Sequence, residues 1–379
     1  MGVAASFGAA SGGAGLIHEA RERPSGSTLL GADLSFVPQL ESLGATYRVD
    51  GSPADPLGIF LDHGFGLVRL RLWHTPAEPW QGLDATVAHA KAARAAGLEI
   101  MLDIHYSDTW ADPGHQKKPA AWDGSGFQAL VDSVYAYTNA VIRRFRDEGA
   151  LPRHVQIGNE VSGGFLWDDG RVGGAWDTPE QWARLAELLD AGIAGVRDSL
   201  PPALRPAIVI HVDNGGNNTL CRWFLDHLSA EGVDYDVIGL SFYPWWHGTL
   251  DDLRGNLHDL AGRYGKKLML VETAYPWTLA GADATGNFVT SPDQLLPGLP
   301  ASPDGQLAFL RALLATVEET PGGLGAGLVY WEPGFLSVPG GPGDPCENLT
   351  LFDFGGNALP ALGFAVSGER LRGIRDPRP

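Results

Sequence analysis

The sequence predicts an α/β protein folded as a single (β/α)8 barrel, a TIM barrel with long loops between each strand and the helix that follows it. Eight short apolar runs bounded by turn residues carry that expectation, with helix-like segments between most of them. The runs also end alike: strand after strand closes on His, Asp, Asn, Glu or Trp, where a core would take apolar bulk. Length agrees, because 379 residues suit one barrel with extended loops.

Taken in order, residues 1–28 read as a flexible leader rich in Gly, Ala and Ser. The barrel domain is expected over 29–370, followed by a C-terminal tail at 371–379. The strand-like runs are Leu29–Leu34, Leu67–Trp73, Glu99–Tyr106, His154–Glu160, Ala207–Asp213, Asp236–Tyr243, Lys267–Glu272 and Gly327–Glu332. Between them, Asp84–Ala96 reads as a helix opened by an Asp N-cap and stopped by Gly97. Thr178 caps a second helix with Pro179 at its first position, and its apolar period runs to about Leu200. The longest stretches without regular structure, 273–303 and 333–350, follow the seventh and eighth strands, and loops of this length tend to be functional or disordered.

Bulk properties exclude several classes of function. A net charge of −18 argues against nucleic acid and anionic membrane as partners, since both reward positive surface. No apolar run approaches the ~18 residues that a membrane span needs. With only Cys221 and Cys346 there is no disulfide framework, although one bridge between them stays open. The first residues lack Lys or Arg ahead of their weak apolar stretch and make a poor secretory signal. Twelve Trp, 51 Gly and 27 Pro suggest shaped loops and flat apolar faces, which suit sugar rings among other ligands.

The strand ends are more specific. Two runs finish on a glutamate, Glu160 after His154-Val155-Gln156-Ile157-Gly158-Asn159 and Glu272 after Leu268-Met269-Leu270-Val271. Two carboxyls at the carboxyl ends of barrel strands and facing one cleft can cut a glycosidic bond. On the second strand Arg69, Arg71 and Trp73 alternate and so point the same way, and arginines inside a barrel need anionic partners. Asp103 and His105 alternate inward on the third strand, His211 and Asp213 end the fifth, Tyr243-Pro244-Trp245-Trp246-His247 the sixth, and Tyr330-Trp331-Glu332-Pro333 the eighth. Asp103, His105, His211 and Asp213 could ligate a metal, but no H-x-H or H-E-x-x-H spacing occurs. A G-x-S-x-G elbow and the phosphate-binding glycine motifs are missing too.

Gly31-Ala32-Asp33-Leu34-Ser35, Val68-Arg69-Leu70-Arg71-Leu72-Trp73, Leu102-Asp103-Ile104-His105-Tyr106-Ser107-Asp108-Thr109-Trp110, Ile157-Gly158-Asn159-Glu160, Val271-Glu272-Thr273 and Tyr330-Trp331-Glu332-Pro333 occur in that order. This pattern, over about 29–365, resembles the endo-β-1,4-galactanases of glycoside hydrolase family 53. The resemblance implies a retaining barrel glycosidase acting on β-1,4-galactan or its oligosaccharides, with Glu160 as general acid/base and Glu272 as nucleophile. It implies Asn159 as donor to the sugar 2-hydroxyl, Trp331 as platform beneath the sugar, and Arg69, Asp103, His105, His211 and Tyr243 around them. Trp246 is assigned to substrate binding, with Trp110, Trp122, Trp245 and Trp277 as further subsite candidates.

No cofactor is expected for the chemistry. By the same resemblance a structural calcium would join the loops after strands seven and eight, where Asp283, Asn287 and Glu347 stand as ligand candidates and Cys346 has no cysteine in the facing loop. A monomer is expected, exported by family likeness. The sequence leaves two alternatives open: a sister retaining β-glycanase such as a β-mannanase, and a non-catalytic carbohydrate-binding barrel.

Overall fold

The computed structural model describes residues 28–343 and 345–366; most of the leader and all of the tail fall outside them. Eight parallel strands close into one barrel: β1 Leu29–Asp33, β2 Leu67–Leu72, β3 Glu99–Ile104, β4 His154–Ile157, β5 Ala207–Val212, β6 Val237–Phe242, β7 Lys267–Thr273 and β8 Gly325–Tyr330. β8 returns to β1, with Leu30 opposite Leu328. Each expected run carries a strand. Most leave the sheet one to three residues early, because their polar ends turn into the loops that build the cleft.

Period-two geometry sorts the side chains into two apolar layers and a polar one. Leu67, Met101, Val209, Val237, Met269, Val271 and Val329 pack together as a plug inside the barrel. Residues of the other parity, such as Leu70, Leu102, Val155 and Leu270, join the shell between strands and helices. One step toward the carboxyl ends, the inward parity delivers Asp33, Arg69, Arg71, Asp103, Gln156, His211 and Ser241, all buried. Polar groups at this depth must find partners within the barrel.

Around the sheet run α1 Pro56–Asp62, α2 Leu83–Ala96, α3 Phe127–Asp147, α4 Pro179–Asp198, α5 Asn218–Glu231, α6 Leu250–Tyr264 and α7 Pro303–Glu318. In the place of an eighth helix a single 3-10 turn, Pro360–Gly363, packs against α7. Thr178 caps α4 as expected, its hydroxyl accepting from the Gln181 N–H at 3.3 Å. The cap of α2 is Gly82, not Asp84. Asp84 instead lies in the first turn, where a carboxylate favours the helix dipole, and pairs with Arg144 at 3.0 Å. Gly97 does close that helix, with φ +97°. Cys221 and Cys346 are both buried and are not joined to each other. Among the described residues no helix is long and apolar enough to cross a membrane.

Candidate active site

The cleft opens at the carboxyl ends of the strands, with a volume of about 580 Å³. Glu160 and Glu272 both line it, between one aromatic wall of Phe36, Trp110, Trp331 and Phe335 and another of Tyr243, Trp245, Trp246 and Phe288. Trp110 and Trp331 pack at 6.2 Å, and Trp246 meets Phe288 at 5.2 Å. Flat apolar surface of this kind takes the faces of sugar rings.

The two glutamates reach the cleft by different backbone devices. Glu160 follows β4 through Gly158 at φ +77° and itself adopts φ +48°, a left-handed conformation rare outside glycine that swings its side chain out of the strand. Gln116 steadies that turn, its amide donating to the carbonyls of Asn159 at 2.8 Å and Glu160 at 3.4 Å. Glu272 lies within β7, and strict alternation after Met269 and Val271 would send it outward. A register slip against β6, where Leu240 pairs with Leu270 but Ser241 with Glu272, re-aims it inward.

Arg69 organises the floor. Its Nη1 lies 2.9 Å from Asp33 and 2.9 Å from Glu272, and its Nη2 lies 2.8 Å from Asp103. The same Nη2 donates to Asn159 Oδ1 at 2.9 Å and Gln156 Oε1 at 3.2 Å. The Tyr243 hydroxyl donates to the other oxygen of Glu272 at 3.0 Å. His105 sits 3.0 Å from Asp103 and takes the Ala111 N–H on its second nitrogen. Burial opposes the charge on Asp103, but Arg69 and His105 outweigh it and hold this carboxyl below its ordinary value.

The environments separate the two glutamates. Burial raises both. Glu160 is pushed well above the usual carboxylate range by burial, then by the charges of Glu272 and Asp213. On Glu272 burial is opposed by Arg69 and by the Tyr243 hydrogen bond, so its rise is smaller. Of the pair, Glu160 keeps the proton and Glu272 carries the charge.

Arg69, Asp103, His105, Asn159, His211, Tyr243, Trp246 and Trp331 thus converge on one cleft with Glu160 and Glu272. His211 and Asp103 do so from behind the lining, touching Asn159 and Arg69. Two aromatic candidates fall elsewhere. Trp122 is buried against His74 and Tyr137, and Trp277 packs on Phe354. Reasoning from sequence missed Asp33, Gln156 and Ser241. Asp33 and Ser241 carried the usable signal, a polar side chain at inward parity on an apolar strand. The described residues hold no group of three or more His, Cys, Asp and Glu arranged for a metal.

The side chains of Asn287 and Glu347 meet beside Gly281, where Asp283 brings its backbone carbonyl and not its carboxylate. The buried Glu347 accepts from the Ala282 N–H at 2.9 Å. With its amide turned so that nitrogen faces the carboxylate, Asn287 donates to both Glu347 oxygens, at 2.7 and 3.1 Å. Asp283 accepts from the Thr285 N–H at 2.6 Å and the Ser337 hydroxyl at 2.9 Å. A calcium ion asks for six to eight oxygens; with the Asn287 amide so turned, N–H and O–H donors face both carboxylates.

A closed parallel barrel with two carboxyls between aromatic walls at its carboxyl end is the architecture of a barrel glycoside hydrolase. The comparisons with known proteins narrow the class. The model of glycosyl hydrolase family 53 matches residues 29–365, and the chain belongs to that family. It is 46% identical to an uncharacterized protein of Niallia circulans from the bgaB 5' region, over 93% of this chain and 97% of that one. It is 40% identical to the arabinogalactan endo-β-1,4-galactanase of Cellvibrio japonicus, over 88% and 89% of the two chains. The solved catalytic domain of the family from Ignisphaera aggregans superposes with a TM-score of 0.84 at 37% identity, over 92% of this chain and 98% of that domain.

Proposed function

We propose that this protein is an endo-acting β-1,4-galactanase that hydrolyses galactan, including that of type I arabinogalactan, with retention of anomeric configuration. The observation that carries the roles is the asymmetry around the two carboxyls. Glu272 has the Arg69 guanidinium and the Tyr243 hydroxyl on its two oxygens, whereas Glu160 has no cation within bonding distance among the described residues and faces two other carboxyls. Family membership and the galactanase relatives support the substrate.

In the first step Glu272 attacks the anomeric carbon while Glu160 gives its proton to the departing glycosidic oxygen. The C1–O bond breaks, and a galactosyl ester forms on Glu272. The charge of Glu272 is then gone. The repulsion that held the proton on Glu160 weakens, and Glu160 can take a proton from the incoming water as that water opens the ester. Asn159 is placed to serve the 2-hydroxyl: its Nδ2 has one hydrogen on the Ala111 carbonyl at 2.8 Å and a second to donate. Trp331 supplies the platform and Trp246, 54% exposed, an outer stacking face. Carboxyl groups alone carry this sequence of steps, with no cofactor, in a chain acting as a monomer.

We propose further that the loops after β7 and β8 are tied by the hydrogen-bonded Glu347 clasp. Product analysis on unbranched β-1,4-galactan, with the anomer followed by NMR, tests the central reading. Short β-configured galacto-oligosaccharides are expected at first; initial α-product, or activity confined to a mannan, would overturn it.

A further inference from the structure

The turn that carries Glu160 is shaped by a side chain from a different loop. Gly158 at φ +77° and Glu160 at φ +48° put two left-handed residues within three, and a residue other than glycine keeps such backbone only where its surroundings enforce it. The carbonyls of Asn159 and Glu160 both accept from one nitrogen, Gln116 Nε2, at 2.8 and 3.4 Å. That nitrogen also donates to the Asp112 carbonyl at 3.1 Å.

The carbonyls of Asn159 and Glu160 belong to the peptide units on either side of the Glu160 Cα. The relative orientation of those two planes is the φ and ψ of Glu160, and it sets where the Cα–Cβ bond points. Other contacts of Glu160 reach less far: its N–H donates to His211 Nδ1 at 3.3 Å, and its Oε1 accepts from the Ser241 hydroxyl at 2.6 Å. Neither of these spans both peptide units. Gln116 is itself anchored, being 2% exposed, with its own carbonyl accepting from the Trp167 N–H at 2.8 Å. Three carbonyl oxygens around one atom admit a donor and exclude an acceptor, so the amide cannot be turned the other way. Asp112 and Pro113 of the same loop line the cleft, and Gln116 does not.

We propose that Gln116 is a positioning residue that aims the Glu160 carboxyl at the glycosidic oxygen, by clamping the two peptide units that flank its Cα. The proposal rests on Glu160 being the general acid, and Gln116 acts through it without meeting the substrate. A carboxyl gives its proton only within hydrogen-bond reach, so a loosened turn should slow the departure of a sugar, which leaves with a proton. Glu272 is held apart from this clamp, on β7, by Arg69 and Tyr243. Attack by the nucleophile should therefore survive the loss of Gln116.

The test compares two leaving groups. In Gln116→Met, which keeps the length of the side chain and removes its donor, kcat/KM on galactan should fall about 10²-fold. On 2,4-dinitrophenyl β-galactobioside, whose phenolate departs without a proton, it should stay within about threefold. On a Glu160→Ala background the same substitution should change neither value by more than about threefold, because the group through which it acts is gone. Equal losses on both substrates, no loss on galactan, or a further loss on the Glu160→Ala background would overturn the proposal. An answer that needs no variant comes from the side-chain amide of Gln116 in the unaltered enzyme: its hydrogens should exchange with water about 10²-fold more slowly than those of an exposed glutamine, and exchange at the exposed rate would refute the clamp. If Glu160→Ala itself lost both substrates equally, the failure would lie with the functional reading; if it spared the aryl substrate while Gln116→Met did not, only the clamp would fail.

Discussion

Arg69 and Arg71 stand two residues apart on β2, point the same way and are equally buried, yet they serve different ends. Arg69 is surrounded by carboxylates, Asp33, Asp103 and Glu272, and its position decides where negative charge rests in the cleft. Arg71 has one carboxylate, Glu332 at 3.0 Å, and otherwise lies against rings: Trp110 at 4.0 Å, Phe36 at 4.8 Å and Trp73 at 5.6 Å. One arginine sets electrostatics and the other supports an aromatic wall. A residue's type and parity place it in the barrel; its partners give it a task.

The largest effect should come from the anion that Arg69 serves. Glu272→Ala is expected to lower kcat by about 10⁴-fold or more, as losing a nucleophile does elsewhere. Azide should restore cleavage of an activated aryl galactoside and yield the α-azide. Rescue of Glu160→Ala with α-product instead would exchange the two roles.

Arg69→Met comes next. It leaves Asp33, Asp103 and Glu272 crowded without a cation, and breaking such a buried cluster costs about 3–5 kcal/mol. The pH dependence has a definite sign. In the unaltered protein Asp103 is depressed, so its contribution to stability is full above its unfolded pKa, about 4, and is lost as pH falls through the lower folded value. Without Arg69 that contribution vanishes, and the gap in thermal midpoint between the two proteins should narrow as the pH is lowered below about 4. A gap constant with pH would remove Arg69 as the counter-ion.

Arg71 separates from Arg69 in kinetics. Arg71→Met should raise KM by roughly tenfold through the loosened Trp110 and leave kcat within a few-fold, because no reacting atom touches it. Trp331→Ala, which takes away the platform itself, should lower kcat/KM by about 10²-fold. Trp246→Ala should act on polymer binding alone. An Arg71 variant that lost kcat as Arg69 variants do would erase the distinction between the two arginines.

Much of this site was legible in the sequence because barrel strands impose alternation. Arg69, Arg71, Asp103 and His105 fall on one face by counting in twos, and strand ends put Glu160 and Trp331 where loops begin. Glu272 is the exception, being brought inward by a slip in the β6–β7 register that no propensity announces. Partner choice is likewise invisible along the chain, since Ser241 finds Glu160 across 81 residues and Arg71 finds Glu332 across 261. Tryptophans mislead for a related reason. Their bulk serves a core as well as a cleft, so Trp122 and Trp277 look like Trp110 until packing separates them.

The smallest effect concerns a buried carboxylate that neither arginine reaches. Glu347 is 1% exposed, as hidden as Glu332, but it is satisfied by the Ala282 N–H and the Asn287 amide. If those donors suffice, chelation with EDTA should leave the thermal midpoint unchanged within about 1 °C. A bound calcium at 100 times its Kd would instead contribute about 2.7 kcal/mol, worth a few degrees in a chain of this size. Glu347→Ala should lower the midpoint by a few degrees and expose 273–303 to protease, because it removes the acceptor through which the Ala282 N–H and the Asn287 amide tie the two loops. A fall on chelation, reversed by added calcium, would show that a cation does for Glu347 what arginine does for Glu272 and Glu332.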